Sequence, residues 1–469
     1  MTGKATRRIA CCVWDGFGAR SFIKSGVAGK LVGRGASVTV ISPNADEAYF
    51  QQECREEGIS LRQDPEEKGS TALRFRRYRP YILDNVEGNT ALRILHELYY
   101  EDHLLVGSLM ATINRKLAKS SLLKTLYRAV ESRINRSDSV GRLLAELRPD
   151  LLVLLSPFGV RDVVYMLHAK ELGIPVVCAV LSWDNITCKG TPLLMPDHFI
   201  SWGPVMTEEI TNFYGFPRER ILECGVPHFD IYKRKTELSS PQAVLKAMEL
   251  PPEDPYLVFG MVTPYCCPNE LDLLMWLTHK INNRKFVKPC SLIIRPHPQT
   301  VSGYYARPAR ELERLKSLAG PRVALHMPQL MSERLYCDMP RNEMNRIASL
   351  LAGSALCVST WSTLSLDASI LDRPVVSIAF DGWEENPYAK SARAGSDYIH
   401  IAKLLTFGGL RVAKSFDELE RHINTYLANP GLDQTGRALA VAQECGPQDG
   451  QAAERVATAL MKLSQRRST

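Results

Sequence analysis

Ala355-Leu356-Cys357-Val358-Ser359-Thr360-Trp361-Ser362-Thr363-Leu364-Ser365-Leu366-Asp367-Ala368 is the stretch on which the fold turns. Ala355 to Ser359 reads as a strand that is apolar on both faces, as central parallel strands are. Four hydroxyl residues, from Ser359 at the strand's end to Thr363, flank a tryptophan, and Leu364, Leu366, Ile370 and Leu371 then mark a helix. In open parallel sheets, ligands collect beyond the carboxyl ends of the strands, where helix N-termini favour anions. Ser362 and Thr363 would there offer hydroxyls and backbone N–H groups to a phosphate, with Ser359 and Thr360 beside them. Asp367, one turn on, is placed to reach ribose hydroxyls or to cap a loop. A plain Ser/Thr N-cap explains the same residues without any ligand.

Strand and helix patterns alternate on both sides of this stretch. Tyr256 to Val262, Ser291 to Arg295, Val323 to His326 and Pro374 to Ala379 join it as a five-strand series, giving a second domain at 250–430. An earlier series gives a first domain at 1–235. Its strands are Arg8 to Trp14, Ser37 to Ser42, Asp150 to Ser156, Ile174 to Leu181, His198 to Trp202 and Arg220 to Cys224. Lys233 to Gln242 shows no period and reads as a linker, and Ser415 to Glu418 is a capping box that opens a helix. The alanine-rich tail, 431–469, reads as helices that pack back on the first domain. The expected fold is α/β, with two Rossmann-like, doubly wound domains facing across a cleft.

A chain of 469 residues exceeds what one core sustains, and 45% hydrophobic with 23% charged residues is a globular balance. No apolar run reaches the length of a spanning helix. The basic start, Met1 to Arg8, precedes an apolar run that stops at Trp14-Asp15, too short for a signal peptide. The 12 cysteines are scattered, with no C-x-x-C. They imply a reducing compartment, hence a cytoplasmic protein without a disulfide framework or zinc site.

Three further peptides fall at predicted strand ends. Arg295-Pro296-His297-Pro298 holds a guanidinium for bidentate phosphate contact and an imidazole that can donate to a leaving phosphate. Ser182-Trp183-Asp184-Asn185-Ile186-Thr187-Cys188-Lys189-Gly190 carries Asp184 as candidate base for an acceptor hydroxyl, with Trp183, Asn185 and Lys189 beside it. An Asp N-cap or Asx-turn is the competing explanation. Asp15-Gly16-Phe17-Gly18 lacks the third glycine of a dinucleotide fingerprint, so Asp15, Gly16 and Gly18 read as a turn that lets backbone approach a ligand. There is no Asp-x-Asp, so no metal-held diphosphate is expected. Leaving-group charge then falls to helix dipole, Arg and His.

Together these residues resemble a known family. Ser359-Thr360-Trp361-Ser362-Thr363, then Asp367, then Asp372-Arg373-Pro374-Val375-Val376 and Phe380-Asp381, look like the donor segment of the CDP-glycerol glycerophosphotransferases. Arg295-Pro296-His297-Pro298 is similar to that family's strand-ending His-Pro, and Gly225-Val226-Pro227 with Asp230 to its Gly-x-Pro-x-x-Asp turn. The same His-Pro and Ser/Thr pair recur in bacterial sialyl- and polysialyltransferases of the two-Rossmann GT-B architecture. The resemblance implies that His297, Ser362 and Thr363 grip donor phosphates. Where the glycerophosphotransferases carry Trp-His-Gly, this chain has Trp183-Asp184-Asn185, and an Asp base is common among inverting glycosyltransferases. Thr360, where that family has Asp, is a smaller departure.

The net charge of +7 is concentrated. Between Leu104 and Arg148 stand Arg115, Lys116, Lys119, Lys124, Arg128, Arg133, Arg136, Arg142 and Arg148, against Glu131, Asp138 and Glu146. Leu109, Ile113, Leu117, Leu122, Leu123, Leu126, Val130 and Ile134 recur among them at helical spacing. A basic helical insertion, 104–148, either forms solvated bundle helices or lies on an anionic membrane at the inner face. Nucleic acid is not expected, because no aromatic stacking pattern accompanies the charge. The sequence reading is thus a metal- and cofactor-independent glycosyltransferase with a nucleotide-sugar co-substrate and a glycan or lipid-linked hydroxyl acceptor, acting in surface polysaccharide or glycolipid synthesis. A CDP-alditol phosphotransferase, a sugar-nucleotide 2-epimerase and a non-catalytic nucleotide-sugar-binding protein are the alternatives.

Overall fold

The computed structural model describes residues 6–65, 69–234, 237–263, 266–301, 309–332 and 334–465. Met1 to Ala5 of the basic start and 235–236 of the linker lie outside them. The chain forms two compact units: Met1–His228 with Gln451–Thr469, and Phe229–Gly450.

The first unit is built on seven parallel strands: β1 (Arg8–Cys12), β2 (Ser37–Ser42), β3 (Ser60–Gln63), β4 (Leu151–Leu154), β5 (Val176–Ala179), β6 (His198–Ser201) and β7 (Ile221–Glu223), in the order β3-β2-β1-β4-β5-β6-β7. The second has β8 (Tyr256–Gly260), β9 (Ser291–Arg295), β10 (Val323–Leu325), β11 (Leu356–Ser359), β12 (Val375–Ile378) and β13 (Arg411–Ala413), in the order β10-β9-β8-β11-β12-β13. The central strands β4, β8, β9, β11 and β12 are buried along their whole length, which their unbroken apolar runs require. Each fully buried Leu or Val there contributes about 1.5–3 kcal/mol. In both sheets the winding reverses beside the first strand, between β1 and β4 and between β8 and β11. Such reversals are where doubly wound sheets leave a ligand crevice.

Two strands escape the sequence pattern, and both are edges. β3 is Ser-Leu-Arg-Gln with only Leu61 partly covered, and β13 is three residues long. The basic insertion is longer than 104–148: five helices, Ser70–Leu83, Thr90–Tyr99, Leu104–Leu117, Ser121–Ile134 and Asp138–Leu147, separate β3 from β4. The predicted linker is short, because the chain turns through a helical stretch at Pro227–Lys233 and enters the helix Pro241–Ala247. The capping box forms with a shift. Ser415 Oγ accepts from the Glu418 N–H, and the Glu418 carboxylate accepts from Lys414 rather than Ser415.

The tail divides, which corrects the expectation that all of 431–469 packs on the first domain. The helix Gln434–Cys445 stays with the second unit against the helix Leu364–Ile370. Arg437 fixes it there: fully buried, it donates to Asp372 Oδ1 at 2.8 and 3.0 Å and to the carbonyls of Leu432 and Pro430. Only the helix Ala452–Leu463 returns, packing on the helix Val27–Gly33, with Glu454 paired to Lys30 and Arg34.

Candidate functional site

In the second unit, the loop after β11 enters the helix Leu364–Ile370 at the switch point. Gly260, the last residue of β8, is required by that approach: a Cβ there would lie 2.2 Å from Leu364 Cδ2. Ser362 Oγ accepts from the Leu364 N–H at 3.2 Å, which leaves its own hydroxyl hydrogen to donate. The backbone N–H groups of Ser362 and Thr363 find no acceptor among the described residues. This is the arrangement an anion completes. Trp361 holds the loop, donating from Nε1 to the Ala392 carbonyl at 2.6 Å and packing on Gly395, where any Cβ would overlap the indole. Asp381 shapes the segment after β12 by accepting from the N–H groups of Asn386 (3.0 Å) and Ala392 (2.8 Å).

His297 follows β9, one strand beyond β8. Its Nδ1 accepts from the Gln299 N–H at 3.1 Å, so the neutral ring carries its hydrogen on Nε2. The ring is half-buried and set by the turn into Pro298–Val301.

Three residues expected at the phosphates are buried. Arg295 is buried; Nη2 pairs with Glu343 Oε1 at 2.6 Å and Nη1 donates to His326 Nδ1 at 2.9 Å. Burial first, then the Arg295 charge, pushes His326 down to about 3, so it stays a neutral acceptor. Arg295 therefore braces β9 to the helix Asn342–Ala352. Ser359 is fully buried and shares a hydrogen bond with Ser365 at 3.3 Å, while Thr360 is fully buried with its hydroxyl unbonded. Both are withdrawn from solvent, whereas Ser362 and Thr363 are partly exposed. Asp367 accepts from Tyr232 Oη at 2.5 Å.

In the first unit, the ends of β1, β4 and β5 bring together the other predicted residues. Asp15 caps the turn Gly16–Ala19, accepting from the Gly18 N–H at 2.8 Å. Burial raises its pKa against the opposing pull of Gly18, Lys189, Phe17 and Arg20. Lys189 is exposed, with Nζ 6.0 Å from the Phe158 ring centroid. Asp184 is half-buried; Ser182 Oγ donates to its Oδ1, and its carbonyl starts the short helix Asn185–Cys188. Trp183 and Asn185 are buried and support this loop from beneath. Asp162, which sequence reading passed over, accepts from Trp14 Nε1 (2.8 Å) and the Gly159 N–H (2.9 Å), and burial pushes it up to about 6. No sequence signal marks it, because it acts from inside a helix.

Among the described residues, no three His, Cys, Asp or Glu side chains are grouped to hold a metal, and no helix is long and apolar enough to cross a membrane.

Two doubly wound parallel sheets, each with its switch point at the strand ends just described, define the GT-B fold, and comparison with solved structures gives the same answer. A UDP-N-acetylglucosamine 2-epimerase homologue from Listeria monocytogenes matches at TM-score 0.56 and 12% identity, over 98% of this chain and 96% of that one. The calicheamicin glycosyltransferase CalG4 matches at TM-score 0.51 and 13% identity, over 99% and 100%. The wall teichoic acid polymerase TagF matches at TM-score 0.50 and 12% identity, over 98% and 89%. At these identities the likeness establishes the architecture. No known protein-family pattern matches the sequence, and no curated protein matches it in sequence.

Proposed function

We propose that this protein is a glycosyltransferase that moves a sugar from a nucleotide donor to a hydroxyl acceptor. The observation that carries this reading is the unfilled N–H and hydroxyl pair of Ser362 and Thr363 at the second unit's switch point, in a fold shared with nucleotide-sugar enzymes. In this reading Ser362, Thr363 and the helix N-terminus hold the donor phosphates. His297 Nε2–H donates to the leaving phosphate, meeting the charge that develops as the glycosidic bond breaks. Asp184 takes the proton of the acceptor hydroxyl, and Asp15, Gly16, Gly18 and Lys189 line the acceptor's approach.

The acceptor is a glycan or a lipid-linked sugar of a surface polymer or glycolipid, reached at an anionic membrane. Support comes from the outer faces of the helices Leu104–Leu117 and Ser121–Ile134, where Leu104, Leu105 and Leu122 are 72%, 89% and 75% exposed and Leu109 and Leu126 stand beside them. Arg115, Lys116 and Lys119 are exposed next to this apolar surface, as an interfacial helix pair requires.

Incubation with UDP-, GDP-, CMP- and CDP-linked donors, with nucleotide release and sugar products resolved, tests the reading. Acceptor-dependent nucleotide release supports it. CDP-alditol consumption with phosphodiester formation, an epimerised but intact donor, or binding without turnover establishes the corresponding alternative and overturns it.

A further inference from the structure

A second cavity in the first unit has a different character from either strand-end site. It encloses ≈ 410 Å³ and is lined by the helix Ser70–Leu83 on one side and by Phe158 and the segment Cys188–Thr191 on the other. Four of its lining residues are cationic: Arg76, Arg77, Arg79 and Lys189; none is acidic. This volume lies in the usual range for small-molecule sites.

The four cations differ in how they are spent. Arg79 is structural: it is buried, its Nε and Nη2 face the Glu131 carboxylate, and its Nη1 donates to the Phe158 carbonyl at 3.1 Å. Arg76 is exposed and has no hydrogen bond or ion pair among the described residues. Arg77 lies over the Tyr99 ring at 5.0 Å, which leaves its N–H edge uncommitted to any carboxylate. Lys189 stands over Phe158.

Carboxylates are near, but each is already satisfied elsewhere. Glu131 is taken by Arg79. Asp162 is held by Trp14 and Gly159. Asp84 accepts from the Thr191 N–H at 2.9 Å and the Thr191 hydroxyl at 2.6 Å. The fold thus gathers positive charge around a cavity and directs its own anions away from it. Arg76, Arg77 and Lys189 are exposed at the cavity and form no ion pair among the described residues, so their charge is open to an anion from solution.

We propose that this cavity binds a phosphate group of the acceptor, with Arg76 and Arg77 as the guanidinium forks and Lys189 as the third charge. The proposal deepens the glycosyltransferase reading and rests on its assignment of the acceptor to the first unit. Planar guanidinium groups match phosphate oxygens two at a time, and Leu73, Pro80 and Phe158 supply apolar walls for the attached carbon skeleton. Lys189 lines the cavity and belongs to the same peptide as the candidate acceptor residues Asp184 and Asn185. The phosphate comes either from a soluble sugar or polyol phosphate or from a lipid headgroup. The helix Ser70–Leu83 packs on both helices that carry the exposed apolar faces.

The test uses the full chain and two probes: glycerol 1-phosphate in solution, followed by calorimetry, and neutral phosphatidylcholine vesicles doped with phosphatidic acid, followed by co-sedimentation. Wild type should bind at least one probe, and Arg76→Gln with Arg77→Gln should weaken that binding ten-fold or more. Arg76→Lys with Arg77→Lys, which keeps the charge but removes the forks, should recover only part of it and serves if the Gln pair does not fold. Tighter binding in solution names a soluble phosphate, and tighter binding on vesicles names a lipid headgroup. Unchanged binding in the folded variants, or no binding of either probe by wild type, overturns the proposal. Nucleotide affinity, measured in parallel, should be the same in wild type and variants. Loss of nucleotide turnover in wild type would strike the glycosyltransferase reading and leave the phosphate result standing.

Discussion

Thr360→Val is the substitution whose outcome the structure constrains most tightly. The Thr360 side chain is fully buried and its hydroxyl has no hydrogen-bond partner among the described residues. Burying an unpaired hydroxyl costs about 1–3 kcal/mol by protein mutational data, and valine has nearly the same shape. The variant should therefore be more stable by about 1 kcal/mol, read as a higher urea midpoint at unchanged slope. Because the hydroxyl is fully buried, nucleotide affinity should stay within about two-fold of wild type. Ser362→Ala with Thr363→Ala is the contrast. Two lost contacts to a charged phosphate, worth about 1.5–3 kcal/mol each, together weaken binding by roughly 150-fold or more. Calorimetry with UDP, GDP, CMP and CDP reads both variants. A Thr360→Val protein that is less stable, or that loses ten-fold or more in affinity while the Ser362/Thr363 pair does not, would refute this reading of the loop.

Breaking the buried Arg295–Glu343 pair with Arg295→Met should cost about 3–5 kcal/mol in urea unfolding, and adding Glu343→Met should recover most of it; equal losses in both variants would deny the pair its bracing role. Glu444 is buried with Oε1 unbonded, and burial raises its carboxyl from 4.5 to about 8. A group with a raised acid pKa holds its proton in the native state, so its contribution is fully present below pH 4.5 and is lost as pH rises through 8. The loss is at most about 5 kcal/mol. Glu444→Gln should remove that slope from the pH profile of unfolding, and an unchanged slope would exclude Glu444 as its source. Reversing Arg115, Lys116, Lys119 and Lys124 to Glu should abolish co-sedimentation with anionic liposomes at low salt and leave turnover on a soluble acceptor intact; a wild-type protein that ignores such liposomes contradicts the membrane reading.

The sheets were legible because parallel central strands announce themselves: β2 and β9 coincide with the apolar runs that predict them, and most others differ by one to three residues at an end. β3 and β13 carry no such run, since an edge strand needs little apolar covering. The candidate site was legible as a set of loops but not as a set of contacts. Sequence shows that Arg295, Ser359 and Thr360 stand at strand ends, yet their burial depends on Glu343, His326 and Ser365, whose side chains meet them only in the folded chain. The cationic cavity was hidden for the same reason. Arg76, Arg77 and Arg79 form one basic run in sequence, and only folding commits Arg79 to Glu131 while leaving Arg76 exposed and unpaired among the described residues.

The central claim is sugar transfer with Asp184 as base and the donor held separately by the second unit. Its most direct test is turnover and donor affinity measured together for wild type and Asp184→Asn, with the donor that wild type consumes and a hydroxyl acceptor. A positioned general base is worth roughly 10²–10⁴ in rate, so the account predicts a loss of that size with donor Kd unchanged. An Asn variant that transfers sugar at the wild-type rate, or one that loses donor affinity along with turnover, would contradict it.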